Sequence, residues 1–305
     1  MNELIIIVFL SIVANFSFSA NAKEIALTFD DAPAGSTVYF ETHDRTNELI
    51  KKLKGLNVPP VIIFANPCKR EDANSIIEQL KAYTAAGHIV GNHTCSHSRF
   101  DKVGFDVFSE DILKADKILS PLYFGQKYFR YPFLNEGTDE FVRNQMREWL
   151  GHNNYRNGLV SVDNDDTIVT DRIIKAKVKG KKINHKKIEK LFLKHILSAA
   201  EFYEKLAVKN LGYSPKHVLL LHEIDGTVLY LDSLVKELRK NGWKIISAIE
   251  AYEDPLYLKT PKNTYAGNGI IAQMVYEKSG HKPTIGYYKW DELEKDLDKL
   301  LGLAP

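Results

Sequence analysis

Sulfur is scarce in this chain of 305 residues, which has two cysteines and three methionines. Two cysteines, Cys68 and Cys95, rule out a disulfide-built scaffold. In an oxidising compartment they are able to pair; two free thiols are the alternative, because sequence alone does not give their separation. Charge of one sign is also lacking. A net charge of +2 excludes the global basic excess that nucleic-acid binding needs, so no nucleic-acid partner is expected. Long apolar runs are absent as well. The longest, "LIIIVFLSIVANF" (4–16), falls short of the ~20 residues of a membrane span. No glycine-rich turn follows the first apolar strand, which leaves a dinucleotide site unsupported. No internal repeat is visible.

The short apolar run at the start is followed by "SFSANAKE", with Ala20 and Ala22 ahead of Lys23. That layout is expected of a secretory signal peptide over residues 1–22, although "MNE" carries no basic residue. Export to the periplasm or medium follows, with no stable membrane span after cleavage; an uncleaved anchor is the rival.

Beyond residue 22, apolar runs alternate with amphipathic ones. Strands are expected at 24–30, 58–65, 88–94, 127–133, 157–163, 216–223 and 243–250. Helices are expected at 72–87, 107–120, 137–151 (capped near Thr138) and 228–242. This alternation predicts an α/β chain of about seven parallel strands with helices outside, as an open doubly wound sheet or a closed β/α barrel. Runs such as "VLLL" suit strands buried on both faces. The expected organisation is a barrel over 23–252, a Lys-rich helical insertion over 167–215, and a C-terminal cap over 253–305. Eight lysines between Lys175 and Lys190 are expected to be a solvated face, with an anion-attracting surface as the alternative.

The polar residues that stand out all fall at or near carboxyl ends of expected strands. Asp30 and Asp31 close the first, His93 and His97 follow the third, and Arg130 is on the fourth. Asp163 and Asp166 follow the fifth, and His222 ends the sixth. In a parallel β/α fold these ends share one face, where active sites form. Two histidines and a carboxylate suit a divalent ion such as zinc, with a coordination position left open. His93 and His97, four apart, would face one ion if their segment turns helically. One of the paired aspartates would be the third ligand and the other a base, held by Arg130 in a bidentate pair. His222 would be the acid, with Asp166 or Asp163 raising its pKa. Asp163 alone would also serve as a helix cap near Thr167.

These residues resemble the NodB-type polysaccharide deacetylases, carbohydrate esterase family four. The family's T-F-D-D-[GA]-P is matched by "TFDDAP" (28–33) and its H-[ST]-x-x-H by "HTCSH" (93–97). Its R-x-P-[YF] is matched by "RYPF" (130–133), its D-x-x-D-W is approached by "DNDDT" (163–167), and its L-x-H is matched by "LLH" (220–222). All five come in family order over about 200 residues. The resemblance implies a distorted β/α barrel and metal-dependent removal of acetyl groups from sugars. It implies Asp30 as base, Asp31, His93 and His97 as metal ligands, and Arg130 orienting Asp30. The Phe133 N–H would stabilise the oxyanion while its ring lines the groove. His222 would be the acid with Asp166 as partner, and Leu220 part of an acetyl pocket. Thr167 departs from the family's Trp, and the 167–215 insertion and the tail after 252 lie outside the pattern. The expected substrate is an N-acetylated glycan, with an O-acetyl ester second. The rivals are a non-catalytic carbohydrate-binding or cell-surface protein that keeps the fold and metal, and a metal-dependent amidase acting on small non-glycan substrates.

Overall fold

The structure is a computed structural model that describes residues 23–69 and 73–303. The expected leader, 1–22, lies outside the described residues. Seven parallel strands form one curled sheet, with helices packed outside it. β1 (Lys23–Ala32) pairs with three of the other strands, and Ile25, Ala26, Leu27 and Phe29 are fully buried. Outward from β1 run β2 (Ile62–Ala65), β3 (Ile89–Asn92), β4 (Lys127–Phe129) and β5 (Tyr155–Asn157), while β6 (Lys216–His222) flanks β1 on its other side. The short β7 (Trp243–Ile245) pairs with Lys23–Ile25, below the point where β2 joins β1.

The run expected as one strand over 157–163 is split between two partners. Gly158 N–H donates to the Phe129 carbonyl at 2.6 Å, so the chain is still on β4. By Ser161 and Val162 it has crossed to β6, where both N–H groups donate to the Val218 carbonyl at 3.1 and 3.0 Å. This crossing links the two flanks of the sheet and curls it into a barrel. At Gly158 a Cβ would lie 2.4 Å from Phe64 Cζ, so the closure needs a residue without a side chain there.

The strand expected over 243–250 stops at Ile245. Ser247 Oγ accepts the Glu250 N–H at 3.1 Å and starts helix α8 (Ala248–Tyr252). Helix α1 (Thr42–Gly55), absent from the expected set, buries Leu49 and Leu53 against the sheet. α2 covers Ala73–Ala85 and α3 Phe100–Leu119, starting earlier than expected, with Gly104 at φ 76° kinking its first turns. α4 (Glu140–His152) is capped by Asp139 rather than Thr138, because the Asp139 carboxylate accepts the Val142 N–H at 2.9 Å.

Between β5 and β6 lie α5 (Thr167–Val178) and the long α6 (His185–Leu211). α7 is Asp225–Lys240, and α9 (Gly269–Ser279) and α10 (Trp290–Leu301) form the tail. α10 packs on α5 and α6 through buried Leu293, Leu297 and Leu301. Arg172 ties the same junction by ion pairs to Glu294 and Asp298.

Candidate active site

Strand register builds the site. Ala32 is opposite Ala65, Ala65 opposite Asn92, Asn92 opposite Phe129, and Phe129 opposite Asn157. His93 and Arg130 are the next residues beyond that line. On the other side of β1, Asp30 is directly opposite His222. Residues distant in sequence therefore converge at the carboxyl ends of the strands. Asp30, Asp31, His93, His97, Phe133, Asp163, Leu220 and His222 all line one cavity of about 340 Å³.

The backbone there is held in sparsely populated conformations. Eight described non-glycine residues have positive φ, and Asp31 (64°), Thr94 (66°), His97 (58°), Phe133 (59°), Leu134 (49°) and Asn268 (72°) among them surround the site. Such conformations cost free energy and persist where packing over-determines them, most often at functional sites. The expected helical turn between His93 and His97 is not formed. The segment bends irregularly, and Thr94 Oγ1 accepts the His97 N–H at 3.0 Å. Cys95 points away into a disulfide with Cys68, with Cα atoms 4.9 Å apart.

Asp31, His93 and His97 offer three ligand atoms that all lie within 4.8 Å of one another. His97 Nε2 is 3.3 Å and His93 Nε2 3.9 Å from Asp31 Oδ1. His93 Nδ1 is 2.8 Å from the Arg130 carbonyl, an acceptor, so Nδ1 carries the proton and Nε2 presents its lone pair to the cluster. Burial pushes the His93 and His97 imidazoliums down, His97 to about 3, which leaves neutral rings able to ligate. Burial works to raise the Asp31 carboxyl, but the imidazole groups of His93, His97 and His222 and the Lys69 ammonium outweigh it and hold it down to about 2. Asp31 Oδ1 is buried and accepts no hydrogen bond, although the Lys69 ammonium stands 3.3 Å away. A buried carboxylate oxygen left open beside two neutral imidazoles fits a divalent cation.

Asp30 is buried beside this triad, its Oδ2 3.7 Å from His93 Nε2. Arg130 reaches its Oδ1 at 2.6 Å with one nitrogen, not with the expected bidentate fork. The remaining donors are engaged elsewhere: Nε gives to the Gly158 carbonyl at 2.7 Å and Nη2 to the Tyr252 hydroxyl at 3.1 Å. Nη1 also reaches Thr28 Oγ1 at 2.9 Å, and the guanidinium carbon lies 3.9 Å from the Phe64 ring centroid.

Across the cavity, His222 Nδ1 is 2.6 Å from Asp166 Oδ1. Asp166 is buried, and its Oδ2 accepts from the His222 N–H at 2.9 Å and from Thr227 Oγ1 at 2.7 Å. Burial disfavours the His222 imidazolium, but the Asp166 carboxylate more than offsets it and raises the pKa to about 9.

Asp163 makes no hydrogen bond to His222, although the two interact electrostatically, and it does not cap α5; its Oδ2 accepts from the Asn268 N–H at 3.2 Å and from Asn268 Nδ2 at 3.4 Å. Burial and neighbouring Asp165 raise its pKa to about 7. Tyr252, Thr227 and Asn268 were not among the expected site residues. Nothing local in the sequence marks them, since each arrives by tertiary packing. Thr28 is different, because it opens the "TFDD" stretch.

Fold and site together define a β/α-barrel protein whose residues suit metal-assisted hydrolysis. Residues 19–149 match the family model described as polysaccharide deacetylase. A peptidoglycan-N-acetylglucosamine deacetylase from Bacillus cereus is 32% identical over 152 residues, 50% of this chain and 49% of that protein. A chitin deacetylase from Arthroderma benhamiae is 29% identical over 111 residues, 36% of this chain and 27% of that protein. The chain spans about half the length of the first relative and less of the second. A polysaccharide deacetylase structure from Bacillus cereus shares the fold, with a TM-score of 0.51 and 19% identity over 74% of this chain and 91% of that one. Over residues 19–149 the chain is thus similar to the polysaccharide deacetylases, as its motifs led one to expect.

Proposed function

We propose that this protein is a metal-dependent deacetylase that hydrolyses the acetamido group of an N-acetylated glycan. One observation carries the reading: Asp30, held by Arg130, and His222, paired with Asp166, line one cavity together with the Asp31, His93 and His97 cluster. A binding protein has no use for a base and an acid in that arrangement. A divalent ion, zinc first, held by Asp31 and the two imidazoles would supply Lewis-acid polarisation of the acetyl carbonyl and charge stabilisation.

Asp30 takes a proton from the attacking water, and Arg130 fixes the carboxylate so that this oxygen faces the cavity. The Phe133 N–H donates to the oxygen that gains negative charge at the acetyl carbon. His222, protonated at neutral pH through Asp166, gives its proton to the departing nitrogen as the C–N bond breaks. Leu220 lines the pocket for the acetyl methyl. The products are acetate and a free amine; Asp30 returns its proton to solvent and His222 regains one from it. The chain would act outside the cytoplasm after removal of residues 1–22, a reading supported by the Cys68–Cys95 disulfide. Its barrel spans 23–252, and the insertion and tail reshape the groove.

Acetate release from N-acetylglucosamine oligomers tests the reading, with Asp30→Asn as control. Release by the unmutated chain and its loss in the variant are expected. Binding without any release by the unmutated chain would support a carbohydrate-binding protein instead.

A further inference from the structure

A second cavity, of about 450 Å³, opens beside the catalytic one and shares Phe133 and Gly267 with it. Both volumes fall in the range of about 300–1,000 Å³ usual for small-molecule sites. Arg99 and Phe133 form one wall of the second cavity, and Tyr265 and Lys282 form the other. That second wall belongs to the tail, beyond residue 149 where the family match ends and beyond all five motifs.

We propose that this compartment is a carbohydrate subsite that holds the sugar next to the one being deacetylated and favours a sugar bearing a carboxylate. The inference rests on the deacetylase reading for its substrate class. Contiguity supports it, since a chain seated with one sugar at His222 extends past Phe133 into the next space. Two aromatic side chains suit the apolar face of a sugar ring. Phe133 is 51% exposed although its ring lies against His97, with centroids 4.7 Å apart, and Tyr265 is half-buried.

Charge supplies the specificity. The Arg99 guanidinium is neutralised by Asp101, which accepts from Nε and Nη2 at 3.0 Å each. The Lys282 ammonium stands 5.5 Å from the Tyr265 ring centroid and has no carboxylate partner among the described residues. The cavity therefore keeps one uncompensated positive charge, on an aromatic wall where a sugar would lie. The wall itself is fixed to the catalytic cavity. Tyr265 bonds through its hydroxyl to Asn268 Oδ1, and Asn268 donates to Asp163. Asp163 thereby ties the tail to the site.

Equilibrium binding tests the proposal. The full chain carrying Asp30→Asn, used to prevent turnover, is titrated with two tetrasaccharides. One is a neutral N-acetylglucosamine oligomer; in the other, alternate residues carry a 3-O-lactyl carboxylate. The carboxylated sugar is expected to bind about tenfold more tightly, in line with one charge-assisted contact. Lys282→Gln should abolish that preference, Lys282→Arg should keep it, and Tyr265→Ala should weaken both sugars. Equal affinity for the two sugars, no binding of either, or a preference that survives Lys282→Gln would overturn the proposal. Acetate release by the unmutated chain is read separately. Preference without release leaves the subsite standing and removes the deacetylase reading.

Discussion

At the scale of single residues, two buried ion pairs set the chemistry of the proposed reaction, and each makes its own prediction. Asp30→Asn keeps shape and volume but removes the base. Acetate release is expected to fall about 10²–10⁴-fold, the usual contribution of a positioned proton acceptor. Unchanged release would show that another group takes the proton. For His222 the prediction is a pH dependence. Its pKa is raised from 6.5 to about 9, so the acid form persists below about 9 and is lost above it. Asp166→Asn should move the basic limb of the kcat/KM profile to lower pH, and a limb that stays in place would exclude the pairing. Stability follows the same sign. The pairing stabilises the metal-free fold fully below 6.5, and that stabilisation is lost as pH rises through about 9. Melting of the chelated chain across that window should fall more steeply for the unmutated protein than for Asp166→Asn. Asp30, Arg130 and His222 were legible in the sequence because each lies on or at the end of an apolar run. Which carboxylate serves His222 was not legible. The choice between Asp163 and Asp166 depends on where the 158–162 crossing leaves the chain and on Thr227, which arrives from another helix.

At the scale of elements, two devices hold the site. The first is the disulfide between Cys68, beyond β2, and Cys95, between the two site histidines. Replacing both cysteines by Ala should cost about 2–4 kcal/mol in denaturant unfolding, as closure of a loop of this size does. It should also weaken zinc affinity, because the bend carrying His97 loses its tether; zinc affinity equal to the parent's would show that the bend holds itself. The second is the close approach at Gly158. A methyl there meets Phe64 at 2.4 Å, and the Phe64 ring supports Arg130. Gly158→Ala is expected to destabilise by about 1–3 kcal/mol and to lower activity by displacing Arg130 from Asp30. Stability and activity both equal to the parent's would mean that the ring can move freely. Strands were legible as elements from their apolar runs, but their ends were not. β7 yields to a helix because Ser247 caps it, and the 157–163 run divides between β4 and β6, a matter of closure rather than local propensity. Helix α1 escaped notice because its polar face carries most of the residues and only a few apolar positions mark the buried side.

At the scale of the whole molecule, parallel register turns scattered motifs into one site. The placement of every marked residue at or near a carboxyl strand end already implied one functional end, in an open sheet or a barrel, and the family resemblance implied the barrel. The tail was different. No motif in 253–305 announced that Tyr265 and Gly267 would line the groove, because their placement depends on α9 docking against the Val160 region. The central claim is that Asp31, His93 and His97 hold a divalent cation on which the hydrolysis depends. Acetate release from an N-acetylglucosamine oligomer, measured after chelation and again after zinc is restored, tests it most directly. No release from the chelated chain and recovery at about one equivalent of zinc are expected. Undiminished release without metal, or none once zinc is restored, would contradict it.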